Sequence, residues 1–411
     1  MIAELCYSIA LAAFPADTLH LSMENAERMF AEKNLLALAS KYQVEATRAL
    51  EIQARLYPNP VVSAELNVID PQNKEYFHTG KTGQKLFAVD QLILLGGKRR
   101  TEMALSRQNS MISEYEFEDL LRSLRLQLHT NLYGVYFNTL AVTKFDQQLS
   151  LLDSMIVSYE TQANRGNIAY KEVIRLKSVY IRINNEKTTF IGEILDEQQR
   201  LQVLLQSESY IDPLIDTANL PRFDAQYAVD SLISIAYDRR PDYKISKAEI
   251  SYADLNLQYQ RRLAIPNLNL GAAYDQRGGA FLNQVGMTLS MPLPVLHRNQ
   301  GNIKAAQHNT SIAGVHELQL RSEISAEVTN AWLTLTRNIE EYRKARTLYN
   351  ADFTTVFNGV SENFQRRNIT LLEFVDFFES YNETLVQLNH MERKIADSIE
   401  QLNYSIGYPL Y

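Results

Sequence analysis

Residues 85–100 read KLFAVDQLILLGGKRR, and the organisation of the chain follows from this stretch. A strand-like apolar run, Lys85–Leu95, ends in Gly96-Gly97, and three basic residues then open a long tract without proline. About two hundred residues later, Val285–Gln300 (VGMTLSMPLPVLHRNQ) does something similar. A second strand-like run, broken by Pro292 and Pro294, again opens a proline-free tract. The sequence reads as two copies of one unit built around a strand-to-helix joint.

Other segments keep the same correspondence. A helix within 22–60 ends in Leu56-Tyr57-Pro58-Asn59-Pro60, and one within 227–266 ends in Leu263-Ala264-Ile265-Pro266. Asn34-Leu35 answers Arg240-Pro241, and Arg165-Gly166-Asn167-Ile168 answers Arg366-Arg367-Asn368-Ile369. The first repeat is placed at 21–208, with a helix, a β-hairpin at 61–95 and a helical hairpin at 98–208. The second is placed at 227–411, with a helix, a β-hairpin at 267–291 and a helical hairpin at 298–407. Residues 209–226 are the connector. Residues 1–20 read as a truncated export signal or a disordered N-terminus. They are apolar with small residues at Phe14-Pro15-Ala16, yet lack a basic n-region. Cys6 is cleaved or buried, or else a lipid-anchor site that Glu4 disfavours.

No proline occurs between Pro71 and Pro213, nor between Pro294 and Pro409. An interior proline costs a helix ~3 kcal/mol or more, so these tracts can hold very long helices. Val142, Phe145, Leu149, Leu152, Ile156 and Tyr159 alternate by three and four, as do Leu371, Phe374, Phe378, Tyr381, Leu385 and Leu388. Such seams supercoil helices in pairs. Each seam is expected to pack on its own returning helix, with the chain breaking at Gly166 and at Arg367-Asn368.

The strands have period two. Leu268, Leu270, Ala272 and Tyr274 alternate with polar or small residues, as do Val285, Met287, Leu289 and Met291, and Val62, Ala64, Leu66 and Val68. Lys85–Leu95 alternates poorly. Alternation over ~10 residues is the signature of a transmembrane β-barrel strand, though half-buried strands of soluble sheets alternate too. Four strands cannot close a barrel, and an open edge is not tolerated in lipid, so a membrane reading demands several copies. Tyr274 is a candidate for an interfacial aromatic girdle.

Composition narrows the classes. The 411 residues are 45% hydrophobic and 22% charged, as in folded proteins. A net charge of -7 gives no nucleic-acid footprint. One cysteine excludes an internal disulfide framework. No apolar run approaches the ~20 residues of a transmembrane helix. The seven histidines form no zinc-binding pair, and no catalytic or phosphate-cradling motif is present, so no cofactor, metal site or enzymatic activity is expected. Lys98, Arg99 and Arg100 oppose the helix dipole and suit lipid headgroups better than phosphate binding.

Three stretches carry a family resemblance: Pro58-Asn59-Pro60 before the first strand, Leu94–Arg99 after the second, and Pro292-Leu293-Pro294 with Arg298-Asn299-Gln300-Gly301 after the fourth. Over residues 20–408 the chain resembles the TolC-type outer-membrane efflux ducts, most of all their cobalt–zinc–cadmium or copper branch. The resemblance implies an α+β membrane protein: a homotrimer whose twelve-stranded β-barrel, four strands per protomer, continues into an α-helical coiled-coil tunnel. It implies an outer membrane location in a Gram-negative bacterium, with the helices in the periplasm. It further implies a periplasmic adaptor, an inner-membrane RND pump and outer-membrane lipid as partners, with no nucleic acid. Gly96, Gly97, Pro292 and Pro294 then sit at the barrel-to-tunnel joints, and Gly97→Val should hinder assembly more than a change at Lys98.

The resemblance also makes the hairpin tips at 165–175 and 366–376 a periplasmic gate. Thr370, Glu373 and Asp376 stand at the family's hydroxyl and acidic positions. In the first half Glu172 matches Glu373, while Arg175 replaces the second acid, and Arg367 stands where the family has glycine. Glu373 and Asp376 share a helix face. In a ring they would form a cation-favouring collar, with Arg165, Arg366 and Arg367 as its pairing partners. Ordinary solvated helix-tip charges would have the same sequence. At the level of function, a metal-cation duct, a duct for drugs or a secreted protein, and a soluble coiled-coil scaffold all remain open.

Overall fold

The computed structural model describes residues 17–216, 228–278, 280–349, 352–366 and 368–410. Cys6, Gly279 and Arg367 lie outside them. In chain order the elements are β1 (Thr18–Ser22), α1 (Met23–Lys33), α2 (Leu35–Ala54), β2 (Val61–Leu66), β3 (Ile69–Asp70), β4 (Glu75–Tyr76) and β5 (Gln84–Ile93). Next come α3 (Lys98–Asn164), α4 (Tyr170–Leu205), β6 (Tyr210–Leu214), α5 (Val229–Arg239) and α6 (Pro241–Leu263). The chain ends with β7 (Leu268–Arg277), β8 (Phe281–Ser290), α7 (Gln300–Leu348), α8 (Asp352–Gln365) and α9 (Leu371–Ile406). The contacts divide the chain into one unit of 1–39, 118–240 and 322–411 and another of 40–117 and 241–321.

The second unit holds a four-stranded antiparallel sheet in the order β2-β5-β7-β8, leaving β2 and β8 as its edges. Its register resolves the poor alternation of β5. Ala64, Phe87, Tyr274 and Val285 form one row across the sheet, and Val62, Val89, Ala272 and Met287 the next on the same face. The opposite face carries Glu65, Leu86, Asp275 and Gln284 in one row and Val61, Asp90, Gly271 and Thr288 in another. One face is apolar throughout its middle, the other predominantly polar.

The sequence predicts one strand over Val61–Asp70 in a plain hairpin, and the structure departs from both expectations. The Asp70 carboxylate accepts hydrogen bonds from the backbone N–H groups of Gln72 and Asn73, and it lies 2.7 Å from His78 Nδ1. This side chain draws the chain into a turn, as aspartates do. The result is a separate β3–β4 excursion.

In the first unit, β1 pairs in parallel with β6, so residues 18–20 are strand and not a disordered terminus. Leu21, Phe30, Leu128, Leu132, Leu201 and Ile211 meet in the core beneath this pair. A second core joins Phe145, Leu149, Leu152 and Ile156 of α3 to Leu176 and Ile183 of α4, Phe364 of α8 and Phe374 and Phe378 of α9. The seams therefore do not pack only on their own returning helices. Tyr159 stacks on Phe364 at 5.7 Å between centroids, and Phe364 on Phe374 at 4.4 Å, tying the two hairpins into one core. The helix α3 runs unbroken for 67 residues, about 100 Å at ~1.5 Å per residue. In the second half the described helices are α7, which runs to Leu348, and α8, which begins at Asp352.

Candidate functional site

Gly96 and Gly97 both have φ of +72°, the left-handed region that glycine enters without steric cost. A Cβ on Gly96 would lie 2.7 Å from Ile265 Cδ1, and one on Gly97 2.4 Å from Arg262 Nη1. Arg262 donates to the Gly97 carbonyl at 2.7 Å. Lys98 is buried, donating to the Ile265 carbonyl and to Asn267 Oδ1, and burial pulls its ammonium below the ordinary lysine value. It fastens the start of α3 to the start of β7, so it is neither a headgroup ligand nor a mild control for Gly97. Arg99 lies over the ring of Tyr57 at 3.9 Å and donates to the Arg55 carbonyl.

The second joint turns differently. Pro292 and Pro294 lack an N–H, so the descent from β8 leaves fewer donors to satisfy. Its left-handed residue is Asn299, with φ of +58°. Asn299 Nδ2 donates to the carbonyl and to Oε1 of Gln260 at 2.8 and 2.9 Å, pinning the joint to α6. Sequence reasoning missed this role, although asparagine is among the non-glycine residues enriched in that backbone region.

At the tip of the first helical hairpin, Gly166 takes φ of +73° and Asn167 donates to Gln162 through both backbone and side chain. Asn368 makes the same two bonds to Asn363 in the second hairpin. Thr370 and Glu373 form a reciprocal capping box at the start of α9. Hydrogen bonds from the Thr370 N–H and hydroxyl hold the Glu373 carboxyl below its usual range. Asp376 is exposed one turn further on. Glu172 has the matching position in α4, but Ala169 offers no oxygen to cap that helix. Arg165 is exposed. Arg366 lies 3.5 Å from Glu362 on its own helix, so its observed ion pair is not with Glu373 or Asp376.

The first unit also holds a buried charge network that no motif announced. Arg393 Nη2 donates to Glu197 Oε1 at 2.6 Å, and its guanidinium lies within 3.7 Å of Glu193 and Asp397. Burial raises Glu197 to about 7 and Asp397 to about 6 against the pull of Arg393. Gly134 makes the space, since a Cβ there would lie 2.0 Å from Glu197 Oε1. His129 bridges Glu27, at 2.9 Å from Nε2, and Glu400, at 2.9 Å from Nδ1, the second contact lacking hydrogen-bond alignment. Burial opposes its charge, but the two carboxylates prevail and lift the imidazole to about 9. A glycine inside a long helix and an arginine among buried positions were the available signals. Among the described residues no cluster suits a metal ion, and no helix is long and apolar enough to cross a membrane.

No protein-family model matches the chain. It is 21% identical over 368 residues to the cobalt-zinc-cadmium resistance protein CzcC of Cupriavidus metallidurans, covering 87% of this chain and 82% of that one. CusC matches with a TM-score of 0.77 at 15% identity, over 94% of this chain and 92% of its own. The CmeC outer membrane channel of Campylobacter jejuni matches with a TM-score of 0.75 at 14% identity, over 94% and 86%. The fold is that of the TolC-type outer-membrane channels. The resemblance carried by Pro58–Pro60, Leu94–Arg99 and Pro292–Gly301 thus holds at the level of fold.

Proposed function

We propose that the protein is the outer-membrane exit duct of a tripartite efflux system, built as a homotrimer that joins three four-stranded sheets into one twelve-stranded barrel. The observation that carries this reading is the sheet's one-sided register. Val285, Met287 and Leu289 point the same way and are 76%, 86% and 71% exposed. On a soluble scaffold that face would be an aggregation liability; in a bilayer it meets lipid. The ten-residue strands β5, β7 and β8, at ~3.4 Å per residue and tilted ~40°, rise ~26 Å, close to the ~25 Å apolar band of such barrels, while β2 is shorter at six residues. Among the described residues the outer edges of β2 and β8 have no strand partner, and other copies would supply one.

The two halves of the chain are internal structural repeats, and the helical hairpins of three copies wall a periplasmic tunnel. The duct is passive, with the driving force supplied by an inner-membrane RND pump through a periplasmic adaptor. Glu373, Asp376 and Glu172 contribute to a negative collar at the hairpin tips, with Arg165, Arg366 and Arg367 beside them. The cargo is heavy-metal cations, a reading supported by the similarity to a cobalt-zinc-cadmium resistance protein. A deletion strain challenged with cobalt, zinc, cadmium, copper and a drug panel tests the cargo. Sensitivity to one or more metals alone is expected; sensitivity to drugs alone would reassign the duct to drug export.

A further inference from the structure

The exposed apolar turn after β8 and a groove beside the start of β2 lie at the same end of the sheet. Val61 of β2 pairs with Asp90, Asp90 with Gly271, and Gly271 with Thr288 of β8, so these residues form one row. The chain enters that row from Tyr57–Pro60 at one edge and leaves just below it into Met291–Leu296 at the other. Both segments depart from one end, on opposite edges.

The leaving segment is a preformed hook. Leu293, Val295 and Leu296 are 77%, 65% and 89% exposed. The hook is nevertheless held: Val295 N–H donates to the Leu293 carbonyl at 2.9 Å, and Gln300 Nε2 to the Leu296 carbonyl at 3.2 Å. Asn299 fixes its base to Gln260. The entering segment lines a groove of about 620 Å³, where Leu50, Leu56, Tyr57 and Leu94 stand among the polar side chains of Gln53, Glu102, Ser106 and Asn109. Its wall is also held, because Arg99 backs the ring of Tyr57 and Gln91 Nε2 donates to the Pro58 carbonyl at 2.9 Å. An exposed apolar hook and a groove of mixed apolar and polar lining are left open in one chain, and the hook is not among the residues that line that groove.

We propose that the Leu293–Leu296 hook of each copy seats in the Leu50–Leu94 groove of the next. This rests on the trimeric-barrel reading above. The directions favour it once the ring closes: β2 runs with β7, and β8 with β5, so β8 of one copy meets β2 of the next antiparallel. Neighbouring strands lie ~4.8 Å apart, which brings the hook against Tyr57–Pro60 of the adjacent copy. The contact clasps the ring at the joint, just beyond the last strand hydrogen bonds. Burying apolar area there favours the closed ring over separate sheets.

The test uses full-length chains carrying Cys6→Ser, with Leu296→Cys in one and Leu56→Cys in another, co-expressed and oxidised in isolated membranes. Cross-linked dimers are expected from the mixture and not from either chain alone. Light scattering on the same detergent extracts reports separately whether trimers form. Trimers without the cross-link overturn the hook and leave the duct reading standing; absence of trimers overturns both. A maleimide fluorophore on Leu296→Cys that is quenched by nitroxide lipids in assembled trimers would assign the hook to the bilayer and overturn the clasp. A Leu296→Asp variant should form trimers that dissociate at lower temperature, and unchanged dissociation would also count against it.

Discussion

Glu373 illustrates how one carboxylate can serve local structure and function together. Its hydrogen bonds with Thr370 close the first turn of α9, which is sufficient reason for an acid at that position. The proposed collar asks for its charge as well. Substitution separates the two, because glutamine also completes a capping box. Glu373→Gln combined with Asp376→Asn should keep thermal stability and reduce cation selectivity in planar bilayers. Thr370→Ala should instead cost about 1 kcal/mol of helix stability, as lost N-caps do, with little change in selectivity. Selectivity unchanged in the Gln/Asn variant would leave these residues as cap and solvated charge only. The tip also marks a limit of sequence reading. The family resemblance pointed to Thr370, Glu373 and Asp376, but not to Arg366 facing Glu362, because a helical i, i+4 neighbour outcompetes a partner across the turn.

Among the elements, α1, α3 and α9 are joined through His129, with Glu27 on one side and Glu400 on the other. Its folded value of about 9 lies above the ordinary ~6.5 of histidine, so the folded state holds the proton more tightly. The stabilisation is complete below pH ~6.5 and declines as pH rises toward 9, by about 1.4 kcal/mol per pH unit at most. Glu197 at about 7 and Asp397 at about 6 are raised by burial and titrate mainly below that range. Thermal unfolding followed from pH 7 to pH 9 should show falling stability in the native protein. His129→Gln should be less stable at pH 7 and flatter across the range; an equal slope in both would remove His129 as the cause. Strands, seams and joints were legible because each leaves a period or a glycine-proline punctuation. The β1–β6 pair, the β3–β4 excursion and the shared four-helix core were not, since each depends on contacts between distant segments that no local pattern encodes.

For the molecule as a whole, the sheet is the part that cannot be satisfied by one chain. Its apolar face is exposed and both edges carry unpaired backbone groups, a combination that lipid tolerates only in a closed barrel. The seams of the helical core are already buried within the chain, although the helices also expose apolar residues such as Val157, Ile181, Leu195 and Val315. The open sheet edges set the strands apart from the helices, and the proposed ring follows from them. The mass of the protein extracted from purified outer membranes, measured by light scattering with the detergent contribution subtracted, tests this most directly. Three chains per particle is the expected result. A single chain recovered from the soluble fraction, folded and stable without detergent, would contradict it.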